Sequence, residues 1–273
     1  MKGKNQGVQK RLLDINPRAY YTPCSYHNLN LVLGDMANSC TRAVSFFGVL
    51  QHIYSLFSSL TKRWKILQEN VCKFSVKSLS QTRWECRIES VKAIKFQAQK
   101  IKDAAVQSSK TSEDPKIKSE VICLATYEIE NFEFLLGMNI WYDILFYVNS
   151  VSKIMQSEDM HIDVTIDHLR GLITYLKNYR ENGFASALES TKEMTIEMDI
   201  EPKFNEKCKI HRKKHFDDII SGEIAYFAED SFRVDHFLLN GLAMLSVESK
   251  MLELLDYRTL INNFTTQKAR KIT

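Results

Sequence analysis

The sequence predicts a mainly α-helical protein, and three observations carry that expectation. Among 273 residues there are only 9 Gly and 4 Pro, about half and about a third of average usage, so the punctuation that hairpins and tight turns need is scarce. No Pro interrupts the chain between Pro23 and Pro115, or between Pro115 and Pro202, which leaves two long stretches in which helices can run unbroken. Within them, bulky apolar residues recur in steps of three and four, the period of a helix with one buried face. An all-β sandwich or barrel is excluded on the same grounds. With 44% hydrophobic residues, the chain can bury a substantial core in one domain or one and a half.

Taken in order, Gly3 to Ile15 reads as a short helix with Val8, Leu12 and Ile15 on one side, stopped by Asn16 and Pro17. Arg18 to Thr22, rich in aromatic and β-branched residues between Pro17 and Pro23, is the one convincing strand, with nothing nearby to pair with. Asn28 to about Asn70 is helical, as one helix or two, with weak points at Gly34 and Gly48. Its segment Ala43 to Thr61 carries no Asp, Glu, Lys or Arg across 19 positions, close to the length of a membrane span. However, Phe46, Leu50, Ile53, Phe57, Leu60, Trp64 and Leu67 make a single stripe diluted by Gln51, His52 and four serines. Lipid would favour apolarity all round, so a buried core helix is expected and no membrane partner.

The next stripe is Trp84, Ile88, Val91, Ile94, Ala98, Ile101 and Ala105, on a helix given a basic surface by Lys92, Lys95, Lys100 and Lys102. Ser108 to Lys118 reads as a polar linker. From Glu120 to Met155 apolar residues, Phe132, Leu135, Leu136, Ile140, Trp141, Leu145, Phe146 and Val148 among them, cover most of the surface, as in a helix central to a bundle. Ile162, Ile166, Leu169, Ile173 and Leu176 mark a further helix. Residues 189 to 201 then carry five acids and residues 203 to 215 six bases, read as a solvated excursion near 189–215. A final helical pair, Asp217 to Asp256, is expected to bury Val234, Leu238, Leu242 and Leu245.

A formal net charge of +4 is too slight to demonstrate nucleic-acid binding. No basic segment and apolar core follow Met1, so no secretory signal is read. Six scattered cysteines in a chain of this length are expected to be reduced thiols in an intracellular protein. Cys24-x-x-His27 and Cys208-x-x-His211-x-x-x-His215 use spacings found in zinc sites. The two groups are 180 residues apart and the second lies in a basic run that opposes a dication. A buried Cys24, a polar His27 and a basic loop are therefore the reading, with no metal and no cofactor. Gly-x-Ser-x-Gly, a Gly-rich phosphate loop and His-Glu-x-x-His are all lacking.

The residues nevertheless point to a family. Met-Lys-Gly-Lys-Asn-Gln-Gly-Val-Gln at 1–9 and Ile15-Asn16-Pro17-Arg18-Ala19-Tyr20-Tyr21-Thr22-Pro23-Cys24-Ser25-Tyr26-His27-Asn28-Leu29 resemble hAT-superfamily DNA transposases. Phe46-Phe47-Gly48-Val49, Ser59-Leu60-Thr61-Lys62-Arg63-Trp64-Lys65 and Gln81-Thr82-Arg83-Trp84-Glu85-Cys86-Arg87 are similar to the branch that includes zinc-finger MYM-type proteins. The match is continuous to about residue 105 and then weakens to a pattern of helices.

This resemblance implies a division of the chain. Residues 1–77 would be a partial RNase H-like α/β core segment, helix, strand, helix, and residues 78–273 a large all-helical insertion domain. Family chemistry uses three carboxylates to hold two Mg²⁺ ions that activate water or a 3′-hydroxyl against DNA phosphates. None of the three carboxylate motifs, nor the family's dimerisation segment, is present, so a truncated and catalytically inactive product is expected. DNA binding of low specificity is what the resemblance leaves. His27 matches a residue that approaches the DNA backbone, although polar packing at a helix start explains it equally. Arg83 and Trp84 match a pair in which the indole stacks on a flipped base and the guanidinium meets phosphate; without the resemblance, Trp84 is the first core residue of its helix. Lys92 and Lys95 would assist. A nuclear location follows from the family, and a helical protein-interaction module without DNA binding is the alternative.

Overall fold

The structure, a computed structural model, describes residues 7–17, 34, 37–38, 40–79, 84–157, 161–204, 229–230, 232–234, 241, 244 and 247, with Gln9, Trp84 and Ile162 as backbone alone. The strand expected at 18–22 lies outside them. Among the described residues there are helices and no strand. They are α1 (Val8–Ile15), α2 (Thr41–Ser58), α3 (Thr61–Asn70), α4 (Trp84–Lys95), α5 (Ala98–Thr111), α6 (Pro115–Cys123), a π-helical turn (Leu124–Ile129), α7 (Phe132–Ile154) and α8 (Ile162–Glu197).

α7 is the central element, as its all-round apolarity predicts. Fourteen of its 23 residues are buried, and it packs on α8, α4 and α2, while α5 packs on α3, α6 and the π-helical turn. Each fully buried Leu, Ile or Phe contributes about 1.5–3 kcal/mol relative to exposure. Phe146, expected among the buried set, is instead 53% exposed. It lies one turn beyond Tyr142, at the edge where α7 meets α4. One contiguous core runs from Ala37 to Val247, so residues on both sides of position 77 share it.

Most stripes stay in phase but the helices break where local hydrogen bonds intervene. Phe46, Leu50, Ile53, Phe57 and Leu67 are buried, whereas Leu60 is 50% exposed. It sits in extended backbone between α2 and α3, which are bent by 113°. The break falls here rather than at Gly48 because side chains take over the freed carbonyls. Ser59 Oγ donates to Leu56 O at 2.9 Å, and the buried Arg63 donates through Nη1 to Leu56 O at 3.0 Å and to Ser59 Oγ at 3.2 Å. No single helix among the described residues is long and apolar enough to cross a membrane.

The helix expected over 84–105 is likewise two. Gln97 N–H donates to Ile94 O at 3.1 Å, while the Gln97 side chain, through Nε2, occupies Ala93 O at 3.3 Å, the acceptor its own backbone would use in a continuous helix. The stripe survives the break, with Ile88, Val91, Ile94, Ala98, Ile101 and Ala105 all buried. Before α4 the extended segment 71–79 is tied down by side chains. Lys73 N–H donates to Gln97 Oε1 at 3.1 Å, Gln97 Nε2 to Phe74 O at 3.1 Å, Lys77 N–H to Ser90 Oγ at 3.0 Å, and Leu79 N–H to Gln51 Oε1 at 2.9 Å.

The linker expected at 108–118 is largely helical, and the one expected at 189–215 starts as helix, with 205–215 outside the described residues. α5 runs on to Thr111, leaving three residues before Pro115, which opens α6 beneath an Asp114 cap that accepts from Lys116 N–H at 2.9 Å. The expected helix over 120–155 is interrupted by the π-helical turn and by Asn131, which caps α7 by accepting from Phe134 N–H at 3.2 Å. α8 continues through the acidic stretch to Glu197 because Ala187, Thr191, Thr195 and Met198 form its buried face, with Glu189, Glu193 and Glu197 turned outward. It ends at Asp199 in the left-handed region, φ 54°, with Ile200 N–H donating to Thr195 O at 2.9 Å. Beyond it, Phe232, Met244 and Val247 are buried and Val234 is 46% exposed, so Val234 is not on the buried face; Leu238, Leu242 and Leu245 lie outside the described residues. Val8, Leu12 and Ile15 of α1 share a side, as expected, and all three are exposed.

Candidate nucleic-acid interface

Of the residues singled out from sequence, His27 and Arg83 lie outside the described residues, as do Cys24, Cys208, His211 and His215. Trp84 opens α4, and Lys92 and Lys95 occupy its last turn. Lys95 follows Trp84 by eleven residues, close to three full turns. Arg87, in the same Arg-Trp segment, points inward. Its guanidinium lies 4.4 Å from the centroid of the Phe47 ring, and burial lowers its pKa.

The two lysines sit in an aromatic setting that the sequence does not reveal. Lys92 Nζ is 4.5 Å from the Phe74 ring centroid and Lys95 Nζ is 4.3 Å from that of Tyr142, within cation–π range. The rings themselves form a ladder: Phe74 to Phe96 at 5.9 Å, Phe96 to Tyr142 at 5.5 Å, and Tyr142 stacked on Phe146 at 5.8 Å. Three elements build it. Gln97 fixes the backbone at Phe74, the break after Lys95 places Phe96 at the end of α4, and Tyr142 and Phe146 are one turn apart on α7. Phe96 and Phe146 are 54% and 53% exposed.

Charge around the ladder is partly compensated. Lys95 Nζ lies 3.8 Å from Asp143 Oδ1, and burial outweighs the attraction for both partners, lowering the lysine and raising the carboxyl. A long contact between two groups that each resist their charged form is a weak ion pair. Asp143 Oδ2 also accepts from the Tyr179 hydroxyl at 3.1 Å, and its carbonyl from the Tyr175 hydroxyl at 3.2 Å. Burial first, and then the Asp143 charge, push both phenols up, so they serve as donors. Elsewhere the expected basic surface is thinned by pairing. Lys102 meets Glu130, Lys77 meets Glu89 at 3.5 Å and Lys153 meets Glu85 at 3.8 Å. No ion pair among the described residues engages Lys92 or Lys100.

Two further constellations went unread in the sequence. His52, seen only as a polar dilution of an apolar stretch, places Nε2 3.0 Å from Glu120 Oε1 and Nδ1 3.3 Å from Glu128 Oε2. Carboxylates only accept, so the imidazole satisfies both when it carries two protons. Burial lowers its pKa but hydrogen bonds and charge from the two glutamates outweigh it, and the net shift is upward. Glu128 also borders an open cavity of about 300 Å³ between α2 and α7, lined by Phe46, Val49, Phe134 and Trp141 with the Arg42–Glu133 ion pair, 2.7 Å, at its rim. Their partners lie 68, 76 and 91 residues away, beyond the reach of local periodicity. Among the described residues no group of three or more His, Cys, Asp or Glu is arranged to hold a metal ion. Comparison with protein-family models, with curated proteins and with solved structures finds no match for this chain, so its functional reading rests on its own residues.

Proposed function

We propose that this chain is a DNA-binding protein derived from hAT-type transposases, acting in the nucleus, whose own residues do not cut or join DNA. The observation that carries the reading is the placement of Trp84, Lys92 and Lys95 along one helix. Trp84 opens α4 and the lysines stand on its last turn, beside half-exposed aromatic rings; Arg83, which precedes Trp84 in sequence, lies outside the described residues. The sequence resemblance over residues 1–105 supplies the family, and it matches no residue of this chain to the family's three carboxylates. Phosphate contacts from a few lysines give affinity without sequence preference and make it salt-dependent. Fluorescence anisotropy with a hairpin DNA tests this: binding should weaken steeply between 50 and 200 mM salt, about tenfold or more, and should be lost in Arg83→Ala with Trp84→Ala. No Mg²⁺-dependent cleavage of a duplex is expected. Absence of binding at the lowest salt refutes the reading.

A helical protein-interaction module is the second reading. It is favoured by the exposed apolar side of α1, Val8, Leu12 and Ile15, and by the pairing of several lysines with glutamates. Failure to retain DNA at any salt, together with a specific protein partner recovered through α1, supports it over the first.

A further inference from the structure

We infer that the strip formed by Phe96, Tyr142 and Phe146 is a stacking platform for unpaired nucleobases, with Lys92 and Lys95 meeting the flanking phosphates. The inference rests on the DNA-binding reading and narrows it from nucleic acid in general to single-stranded or unpaired segments.

Four features lead there. Two large apolar rings, Phe96 and Phe146, are each more than half exposed and lie on either side of Tyr142; scattered exposed phenylalanines are ordinary, but neighbouring ones in one ring ladder mark a contact surface. The ladder is preorganised, because Phe74 at one end is held through the Gln97 side chain and Tyr142 and Phe146 share a helix. Cations interleave with the rings, at 4.5 Å for Lys92 over Phe74 and 4.3 Å for Lys95 over Tyr142. The Lys95–Asp143 contact, 3.8 Å long, is weak enough for a phosphate to compete for the ammonium.

Rings alternating with positive charge fit a ligand that itself alternates flat π faces with negative charge, which is a nucleic acid strand. In a duplex the base faces are already stacked and only the backbone would meet the lysines, so the rings would go unused. An unpaired strand offers both. Two half-exposed rings give room for one or two bases, and stacking on phenylalanine does not discriminate among bases, so little sequence preference follows.

The test uses the full chain with two fluorescein-labelled probes at 50 mM salt, a 15-nucleotide oligo-dT and a 15-base-pair blunt duplex. Wild type should bind the single strand on the order of tenfold more tightly than the duplex. Phe96→Ala with Phe146→Ala should weaken single-strand binding on the order of tenfold per ring and leave the duplex unchanged, while Phe96→Tyr with Phe146→Trp should retain it. In the latter protein, oligo-dT should quench more of the indole fluorescence than it does in wild type, whose three tryptophans set the baseline; a purely structural role for the rings would give no excess. Equal losses for both probes in the alanine variant, or none, overturn the platform while DNA binding stands. Retention of neither probe by wild type overturns both.

Discussion

Gln97→Ala isolates the contact that holds the extended segment 71–79 against the α4–α5 break. The wild-type side chain is 4% exposed and makes three hydrogen bonds, accepting from Lys73 N–H and donating to Phe74 O and Ala93 O. In the alanine protein the backbone N–H at position 97 can turn from Ile94 O to Ala93 O, so that loss is small. Lys73 N–H and Phe74 O are left in a part-buried setting at about 1 kcal/mol each. Removing a buried methylene adds about 0.8 kcal/mol, and alanine's better helix propensity returns a few tenths. The net expectation is destabilisation of about 2–3 kcal/mol, or roughly 5–10 °C in Tm for a chain of this size. Urea unfolding followed by circular dichroism measures it. Gln99→Ala is the control, since its bond to Asp103 is exposed and within one turn, and it should stay within about 0.5 kcal/mol. Hydrogen exchange at the Lys73 amide should speed up in Gln97→Ala alone. An unchanged Lys73 amide, or a loss under about 0.5 kcal/mol, would refute the claim that this side chain anchors the segment.

Two further outcomes follow from polar groups at helix contacts. His52 bridges Glu120 and Glu128, and its pKa is raised in the folded state. Its contribution is therefore full below the ordinary histidine pKa of about 6.5 and is lost as pH rises through the folded value. The stability difference between wild type and His52→Asn, on the order of 1 kcal/mol for a pair this exposed, should shrink from pH 5.5 to pH 8.5 in parallel melts; a constant difference contradicts the double-proton geometry. Asn139 Nδ2 donates to Thr191 Oγ1 at 2.9 Å in the buried α7–α8 contact. Thr191→Val should cost about 1–3 kcal/mol, and Asn139→Leu combined with it should cost less than the sum of the single changes; strict additivity in denaturant unfolding would show the two to be independent.

Burial was legible wherever it follows a single helical face. Ile166, Leu169, Ile173 and Leu176 are buried as their spacing predicts, and so are Phe46, Leu50, Ile53 and Phe57. Helix ends were less legible, because apolar spacing carries no record of a side chain that captures a carbonyl. Arg63 and Ser59 at the α2–α3 bend and Gln97 at the α4–α5 break do this, while the sequence spacing runs on unbroken through both, even at Leu60, which is left exposed. Polar residues on buried faces mislead in the same direction. Thr191 and Thr195 are fully buried, yet among so many acids they read as solvated. At the candidate interface, Lys92 and Lys95 could be placed on one helix from sequence alone. Their ring partners Phe74 and Tyr142 come from separate elements, and the exposure of Phe96 and Phe146 is decided by how α4 meets α7. Only tertiary packing specifies such neighbours.

The central place of α7 also bears on synthesis. Its partner α2 is complete at Ser58, whereas α7 begins only at Phe132. At about 5–20 residues per second, Phe46 and Phe47 emerge from the ribosome several seconds before Phe134 and Trp141, the α7 rings they pack against. During that interval α2 has α3 to pack on, but these rings stand without their α7 mates. Protection by a chaperone, or slow codons placed after residue 154 rather than before 132, would then govern the yield of folded product more than the stability of the finished bundle does.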